Sequence, residues 1–498
     1  MRYIMSKELM QQRIKQAQEE IDSRREQVKA GKMRQHYHFM PEKGWMNDPN
    51  GFIFFDGKYH FFYQTNPYEP FWNSMHWGHA VSSDLVNWEY LPLALAPSEA
   101  YDDHPKGGCF SGSAIEHEGK LYLMFTASAN FGRGMEQTQC IASSEDGIHF
   151  EKYEGNPVIT APDFAEPGEF RDPKIWKHGE YFYCVLAARL NGNGAALLYR
   201  SSDILHWEYV NVLAESRGEW GDMWECPDLF PVGDKYILTF SPVRSGDHTS
   251  VFLKGDFDYK TGRFRTESAS EIDWGFDYYA PHSFQAPDGR RITTAWANGW
   301  EWMPGWKDWG PAYKEGWTSF FSLSREVNLL ADGRVQFTPI RELKELRIDA
   351  HKEAEISVTG ERLPLTAGDG ISCELRFDID LDRTDAQSVE LCLRSGEGKK
   401  TVCLIDLAKG ELSVNRNHSD GWSRGVSRSL LFLKDRKLLD VHIFLDQSSI
   451  EIYTDNYTNN HSNNVYAGDE QNAITVRAEG GKAVLCNYES YGLRGTFR

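Results

Sequence analysis

Three acidic side chains sit in proline-bearing turns far apart in this chain. Asp48 lies in WMNDPNG, Asp172 in FRDP and Glu225 in WECPD. Proline stiffens the backbone beside each carboxylate, and Asn50-Gly51 signals a turn into a strand, so each acid is held and can be aimed. One such stretch alone reads as an ordinary loop. Three at corresponding places in a repeat read as a site, and two carboxylates facing one glycosidic bond are the equipment for sugar cleavage. One protonates the leaving oxygen while the other attacks or activates water.

The repeat that must position them appears when strands following a Gly or Asp turn are set in register. They are GKYHFFYQ from Gly57, GKLYLMFTA from Gly119, GEYFYCVLAA from Gly179, DKYILTFSP from Asp234 and GRRITTAWA from Gly289. A second marker keeps the same period: SSDLVNW from Ser82, SSEDGIHF from Ser143 and SSDILHW from Ser201. Short, β-branched and aromatic runs at a long period predict propeller blades, and they lack the 3.6-residue pattern of a helical solenoid. Asp48, Asp172 and Glu225 fall at matching points of repeats one, three and four, and a propeller gathers such points around one axis.

The expected fold is therefore all-β: a five-bladed β-propeller followed by a C-terminal β-sandwich, with a short N-terminal helix. Residues 1–34 form the helical extension, 35–339 the propeller, 340–348 a linker and 349–498 the sandwich. Leu, Met and Ile interspersed with Glu, Lys, Gln and Arg from Ser6 to about Met33 predict a polar helix that packs lightly. Alternating runs such as ISCELRFDIDL, LLDVHIFLD and AITVRAE predict the sandwich strands, and NYTNNHSNN from Asn456 reads as a long exposed loop.

Composition narrows the partners. The 498 residues carry 54 Lys and Arg against 73 Asp and Glu, a formal charge of -19 that argues against nucleic-acid or anionic-membrane surfaces. A neutral small-molecule sugar fits better. Eight scattered cysteines form no CxxC pairs, so neither a metal site nor a disulfide framework is expected, and no cofactor is implied. The charged start and the lack of a long apolar run predict a cytoplasmic protein and leave a homo-oligomer open.

Sugar rings present apolar C–H faces and polar hydroxyls, so a site for them needs aromatics beside amides and a guanidinium. Trp45, Trp72, Trp77, Phe110, Tyr279 and Trp296 belong to or border the acid-bearing strand starts, with Asn47, Gln64, Ser111 and Arg171 as polar partners. A single such Trp normally fills core. The Trp-dense segment from Trp296 to Trp317 reads equally as an aromatic wall or as a packed final blade. Lys106, Arg133, Lys307 and Lys314 are conceivable partners for a phosphorylated substrate.

WMNDPNG, FRDP and WECPD resemble the signature motifs of glycoside hydrolase family 32, the β-fructofuranosidases that include invertases and sucrose-6-phosphate hydrolases. FYQTNP from Phe62, HWGHAVSSDLVNW from His76, CFSGSAI from Cys109, DYYAP from Asp277 and LDQSSIEIY from Leu445 match in order. The resemblance implies a retaining double displacement on sucrose, sucrose 6-phosphate or short fructo-oligosaccharides. Asp48 would be nucleophile, Glu225 acid and base, and Asp172 with Arg171 would hold fructose hydroxyls. It implies that Glu225 starts protonated while Asp48 stays ionised, with Cys226 a neighbour that tunes Glu225 or simply a small buried residue. The alternatives are an inverting furanosidase of a related propeller family and a propeller that binds carbohydrate without cleaving it.

Overall fold

The computed structural model describes residues 2–130, 132, 134–246, 249–300, 302–303, 305 and 309–496, the side chains from residue 7 onward. Its chain divides into two compact units, one of residues 1–30, 40–271 and 279–324, the other of 31–39, 272–278 and 325–498.

In the first unit the Gly-turn strands form as Lys58–Asn66, Lys120–Asn130, Tyr181–Leu190, Lys235–Val243 and Arg291–Trp296. Each pairs antiparallel with the strand before it: Gly44–Phe55, Gly108–His117, Phe170–His178, Met223–Val232 and Tyr279–Gln285. Four of these hairpins close on two-residue turns, and in two of them, Asp56-Gly57 and Glu118-Gly119, both residues have positive φ. That is the turn whose twist matches the flanking strands. The SSD marker also has a physical role. Asp84 Oδ1 accepts from the Val86 and Asn87 N–H groups, Asp146 Oδ1 from Ile148 and His149, and Asp203 Oδ1 from Leu205 and His206. The same side-chain turn thus leads into the outer strand of three repeats.

The five acid-side strands pack neighbour to neighbour, and Tyr279–Gln285 closes against Gly44–Phe55. Trp317–Thr318 adds a parallel strand beside Gly44 and Trp45. A closed ring brings strand starts that are distant in sequence to one axis, and this is the propeller that the repeat predicts.

The N-terminal helix, Arg2–Lys29, packs far more firmly than its polar composition suggests. Met10, Ile14 and Ala17 belong to the same core cluster as Trp77, Leu93 and Cys109. Burying side chains of the size of Met and Ile contributes about 1.5–3 kcal/mol each, before the entropy of ordering the helix is subtracted. Arg13 fixes the register with paired bonds to Asp103 of 2.8 and 2.9 Å.

The second unit is a sandwich of two six-stranded sheets. The stretch expected as an exposed loop is instead the edge strand Asn459–Asn464, buried at every position and paired with Ser449–Thr454. Its polar groups find partners that composition does not reveal. His461 bonds Ser427 and Ser429, and Ser462 Oγ donates to Asp273 Oδ2 at 2.9 Å. Residues 341–346, expected as linker, form a short 3-10 helix that buries Leu343 and Leu346.

Arg325 is fully buried in this unit, 2.9 Å from Asp273 and 3.1 Å from Glu451, with its guanidinium over the Tyr278 ring. Removing one partner of a buried ion cluster strands the others in low dielectric. Arg325→Met is expected to destabilise the sandwich by about 3–5 kcal/mol, read as a lower urea midpoint. An unchanged midpoint would show that the two carboxylates need no counter-charge.

Candidate active site

Each acid-bearing strand is bulged where its acid sits. The register slips between Met46 and Pro49, between Arg171 and Lys174, and between Glu225 and Asp228, and the fifth strand slips likewise between Tyr279 and His282. Within these bulges Asp172, Cys226 and Ala280 have φ of 62°, 50° and 52°, and each immediately precedes a proline. Left-handed backbone on non-glycine residues is strained, and a following proline restricts it further, so the packed ring must hold these positions. The bulges also correct the expected alignment. Asp172 matches Cys226 and Ala280, whereas Glu225 matches Arg171 and Tyr279, one residue earlier. Counting from the prolines shows the same offset, since WECPD places its acid two residues before Pro227 and FRDP places it directly before Pro173.

The offset points Arg171 at Glu225. Arg171 Nε and Nη2 donate to Glu225 Oε1 at 3.1 and 2.9 Å, and Tyr279 Oη donates to Glu225 Oε2 at 2.5 Å. Arg171 Nη1 reaches Glu169 at 2.6 Å and Gln137 at 3.2 Å. Asp172 is nine-tenths buried; its Oδ2 accepts from the Cys226 N–H at 3.0 Å, and its own N–H donates to Thr126 Oγ1. Asp48 Oδ2 accepts from Ser111 Oγ at 2.6 Å and from Cys226 Sγ at 3.6 Å. Among the described residues Asp48 Oδ1 is buried without a hydrogen-bond partner. Cys226 therefore touches both aspartates, through its thiol and through its backbone.

These groups line one pocket of about 300 Å³ with Asn47, Trp72, Phe110, Ser111, Gln137 and Trp300. Of the residues singled out from the sequence, Asn47, Asp48, Trp72, Phe110, Ser111, Arg171, Asp172 and Glu225 come together on its wall. Gln64, Trp77, Tyr279 and Trp296 stand buried behind it. Trp77 Nε1 donates to the Phe110 carbonyl at 3.0 Å and Gln64 Nε2 to the Cys109 carbonyl at 2.9 Å, so both fix the strand that carries Ser111. Trp45, fully buried, donates to Asn47 Oδ1 at 2.7 Å.

Gln137 and Trp300 were not singled out. Gln137 lies on Met135–Ser144, a third strand, outside the strand-start rule that found the acids. Trp300 belongs to the Trp-dense segment, which divides between both readings: Trp300 lines the pocket, while Trp296 and Trp317 are fully buried. Lys106 and Lys314 are exposed, and Arg133 and Lys307 lie outside the described residues.

Three carboxylates share this space with one guanidinium. Burial, then the charge of Glu225, pushes the Asp48 carboxyl up from 3.8 to about 6, against the hydrogen bonds of Ser111, Asn47 and Cys226. Burial also raises Asp172 to about 7, opposed by Arg171 and assisted by Glu225 and Asp48. Asp48, expected simply to stay ionised, thus titrates only about one unit below neutrality. The pocket retains protons that isolated carboxyls would have lost.

A propeller whose axis gathers three acids, one arginine and an aromatic rim has the parts of a carbohydrate-cleaving enzyme. Family models agree. The one described as Glycosyl hydrolases family 32 N-terminal domain matches residues 38–339, and the one described as Glycosyl hydrolases family 32 C terminal matches 342–491. The chain is 37% identical over 439 residues to a sucrose-6-phosphate hydrolase of Zymomonas mobilis, covering 84% of this chain and 83% of that protein. It is 35% identical over 463 residues to a raffinose invertase of Escherichia coli, covering 90% and 93%. Among solved structures, a family 32 β-fructofuranosidase of Bombyx mori superimposes with a TM-score of 0.82 at 32% identity, covering 98% of this chain and 99% of that one. A sucrose-6-phosphate hydrolase of Lactobacillus gasseri gives 0.83 at 26% identity, covering 96% and 97%. The chain belongs to glycoside hydrolase family 32, and it is a glycoside hydrolase.

A carboxyl whose pKa is higher folded than unfolded weakens the fold as pH rises through that window, because the unfolded chain gives up its proton more readily. For Asp48 the window runs from 3.8 to about 6, and above it the cost is about 3 kcal/mol. Asp48→Asn is therefore expected to raise the melting temperature at pH 7, with the gain over the parent shrinking as pH falls to 4. A gain independent of pH would assign the effect to packing and not to charge.

Proposed function

We propose that this glycoside hydrolase releases terminal β-fructofuranosyl units from sucrose-type substrates by a retaining double displacement. Asp48 attacks the anomeric carbon while Glu225 delivers a proton to the departing oxygen; Glu225 then takes a proton from water as the fructosyl–Asp48 ester is hydrolysed. The observation that carries this reading is the opposed holding of two acids on one pocket. Ser111 steadies Asp48 at 2.6 Å, and Arg171 with Tyr279 fixes both oxygens of Glu225. Asp172, buried at the same wall and tied to the Cys226 backbone, binds fructose hydroxyls and favours the cationic transition state.

Relatives named as sucrose-6-phosphate hydrolases and as a raffinose invertase support a sucrose-type substrate. Trp72, Phe110 and Trp300 supply apolar faces for the leaving sugar, and Gln137 offers it an amide. Eight cysteines stand as free thiols, which suits the reducing cytoplasm. No described helix is long and apolar enough to cross a membrane.

The test is fructose release from sucrose, sucrose 6-phosphate, raffinose and 1-kestose, with the anomer of the first-formed fructose read by NMR. Retention is expected. Asp48→Ala and Glu225→Ala should each lower kcat by several orders of magnitude with the fold intact, and near-normal turnover in either would remove its assignment.

The acid limb of kcat/KM for the parent enzyme is expected near pH 6, where Asp48 gains its proton. Ser111 donates to the charged carboxylate and so holds this value down; Ser111→Ala should move the limb to higher pH. A shift to lower pH would mean that another group sets the limb.

A further inference from the structure

We propose that Lys43, seated on Glu20 of the N-terminal helix, is a positioning residue for the aromatic wall of the pocket: it holds the turn that carries Trp72 and so sets how well the leaving group is bound.

Lys43 is 4% exposed, which is rare for a lysine unless its ammonium is fully partnered. Its three N–H donors have three acceptors: the carbonyls of Pro67 at 2.9 Å and Tyr68 at 2.7 Å, and Glu20 Oε1 at 3.0 Å. Two of the three are backbone carbonyls of one turn, so the charge acts on the path of the main chain. The same turn is tied by Asn66, which accepts from the Tyr68 N–H at 3.1 Å and donates to the Phe71 carbonyl at 2.9 Å. Four residues beyond Tyr68, Trp72 enters the pocket with its ring 5.7 Å from that of Phe110.

The third acceptor connects this turn to something rigid. Glu20 is half-exposed on a helix that is anchored by Met10, Ile14 and Ala17 in the core and by Arg13 on Asp103. Lys43 itself immediately precedes Gly44–Phe55, the strand that bears Asp48. One ammonium therefore indexes the Trp72 turn to both the helix and the strand of the proposed nucleophile. Replacing it with an apolar side chain removes the donor that the Pro67 and Tyr68 carbonyls share and frees the turn to shift, and displacement of a binding group by about an ångström is enough to weaken substrate binding severalfold.

This role rests on the fructosidase reading, with Trp72 on the leaving-group side. The experiment compares Lys43→Met with the parent on sucrose, raffinose and methyl β-D-fructofuranoside, whose methanol leaving group is too small to meet the wall. The expected result is a KM raised about fivefold or more for sucrose and raffinose, with kcat/KM for the methyl glycoside within about twofold of the parent. Combined with Trp72→Ala, the substitution should add little, since both remove the same contact. Glu20→Ala, a change on the helix surface, should move KM in the same direction by less, and it serves as the readout if Lys43→Met does not fold. Equal losses on all three substrates, unchanged KM for the two sugars, or additive effects with Trp72→Ala would each overturn the proposal. Fructose release that survives Asp48→Ala would instead sink the catalytic assignment, and the comparison of Lys43→Met with the parent across the three substrates would still report on Lys43.

Discussion

One guanidinium set among carboxylates is the constraint on which the catalytic unit depends. Arg171 is within 3.1 Å of Glu225 and within 2.6 Å of Glu169, and it lies 3.9 Å from Asp172. Without it, the like charges of Asp48, Asp172 and Glu225 would repel one another across the pocket. With it, the cluster is only partly neutralised, and the residue of that imbalance appears as protons held by Asp48 and Asp172 near pH 6 to 7. The proposed nucleophile is therefore an anion only above about pH 6.

Holding such a cluster needs a scaffold that cannot relax. The acids come from strands separated by more than fifty residues, and loops alone would let like charges drift apart. The closed ring of five strands denies that escape, because each strand is packed between two others. The left-handed backbone at Asp172, Cys226 and Ala280 is the local expression of the same force. Each bulge turns one side chain toward the axis and the next toward its neighbour, so Arg171 can face Glu225 while the Cys226 N–H faces Asp172.

Much of this was legible in the chain, because the propeller repeats its turn chemistry. The Gly-turn strands and the SSD turns carry their geometry in short, local patterns, and each acid stands one or two residues before a proline. Register was less legible, since a bulge depends on what the partner strand does and not on the segment itself. Aromatic roles were the least legible. Trp72 and Trp77 lie five residues apart in one motif-rich stretch, yet one lines the pocket and the other is fully buried. The amide-rich Asn459–Asn464 failed for a related reason: polar residues can occupy a buried strand when serines and an aspartate from distant segments satisfy them, and composition does not record those partners.

The tryptophans behind the pocket extend the argument from charge to shape. Trp45 stacks on Trp300 at 6.0 Å and meets Trp296 edge-on at 5.7 Å, while its indole N–H holds Asn47 beside Asp48. The ring that shapes the pocket wall is therefore in contact with the ring that steadies the neighbour of the proposed nucleophile. Dense aromatic packing transmits small displacements instead of absorbing them. A change at the wall that unseats Trp300 would thus reach Asn47 through Trp45, so substrate selectivity and turnover should be harder to separate on this side of the pocket than on the Trp72 side, where the support comes from a lysine and two backbone carbonyls.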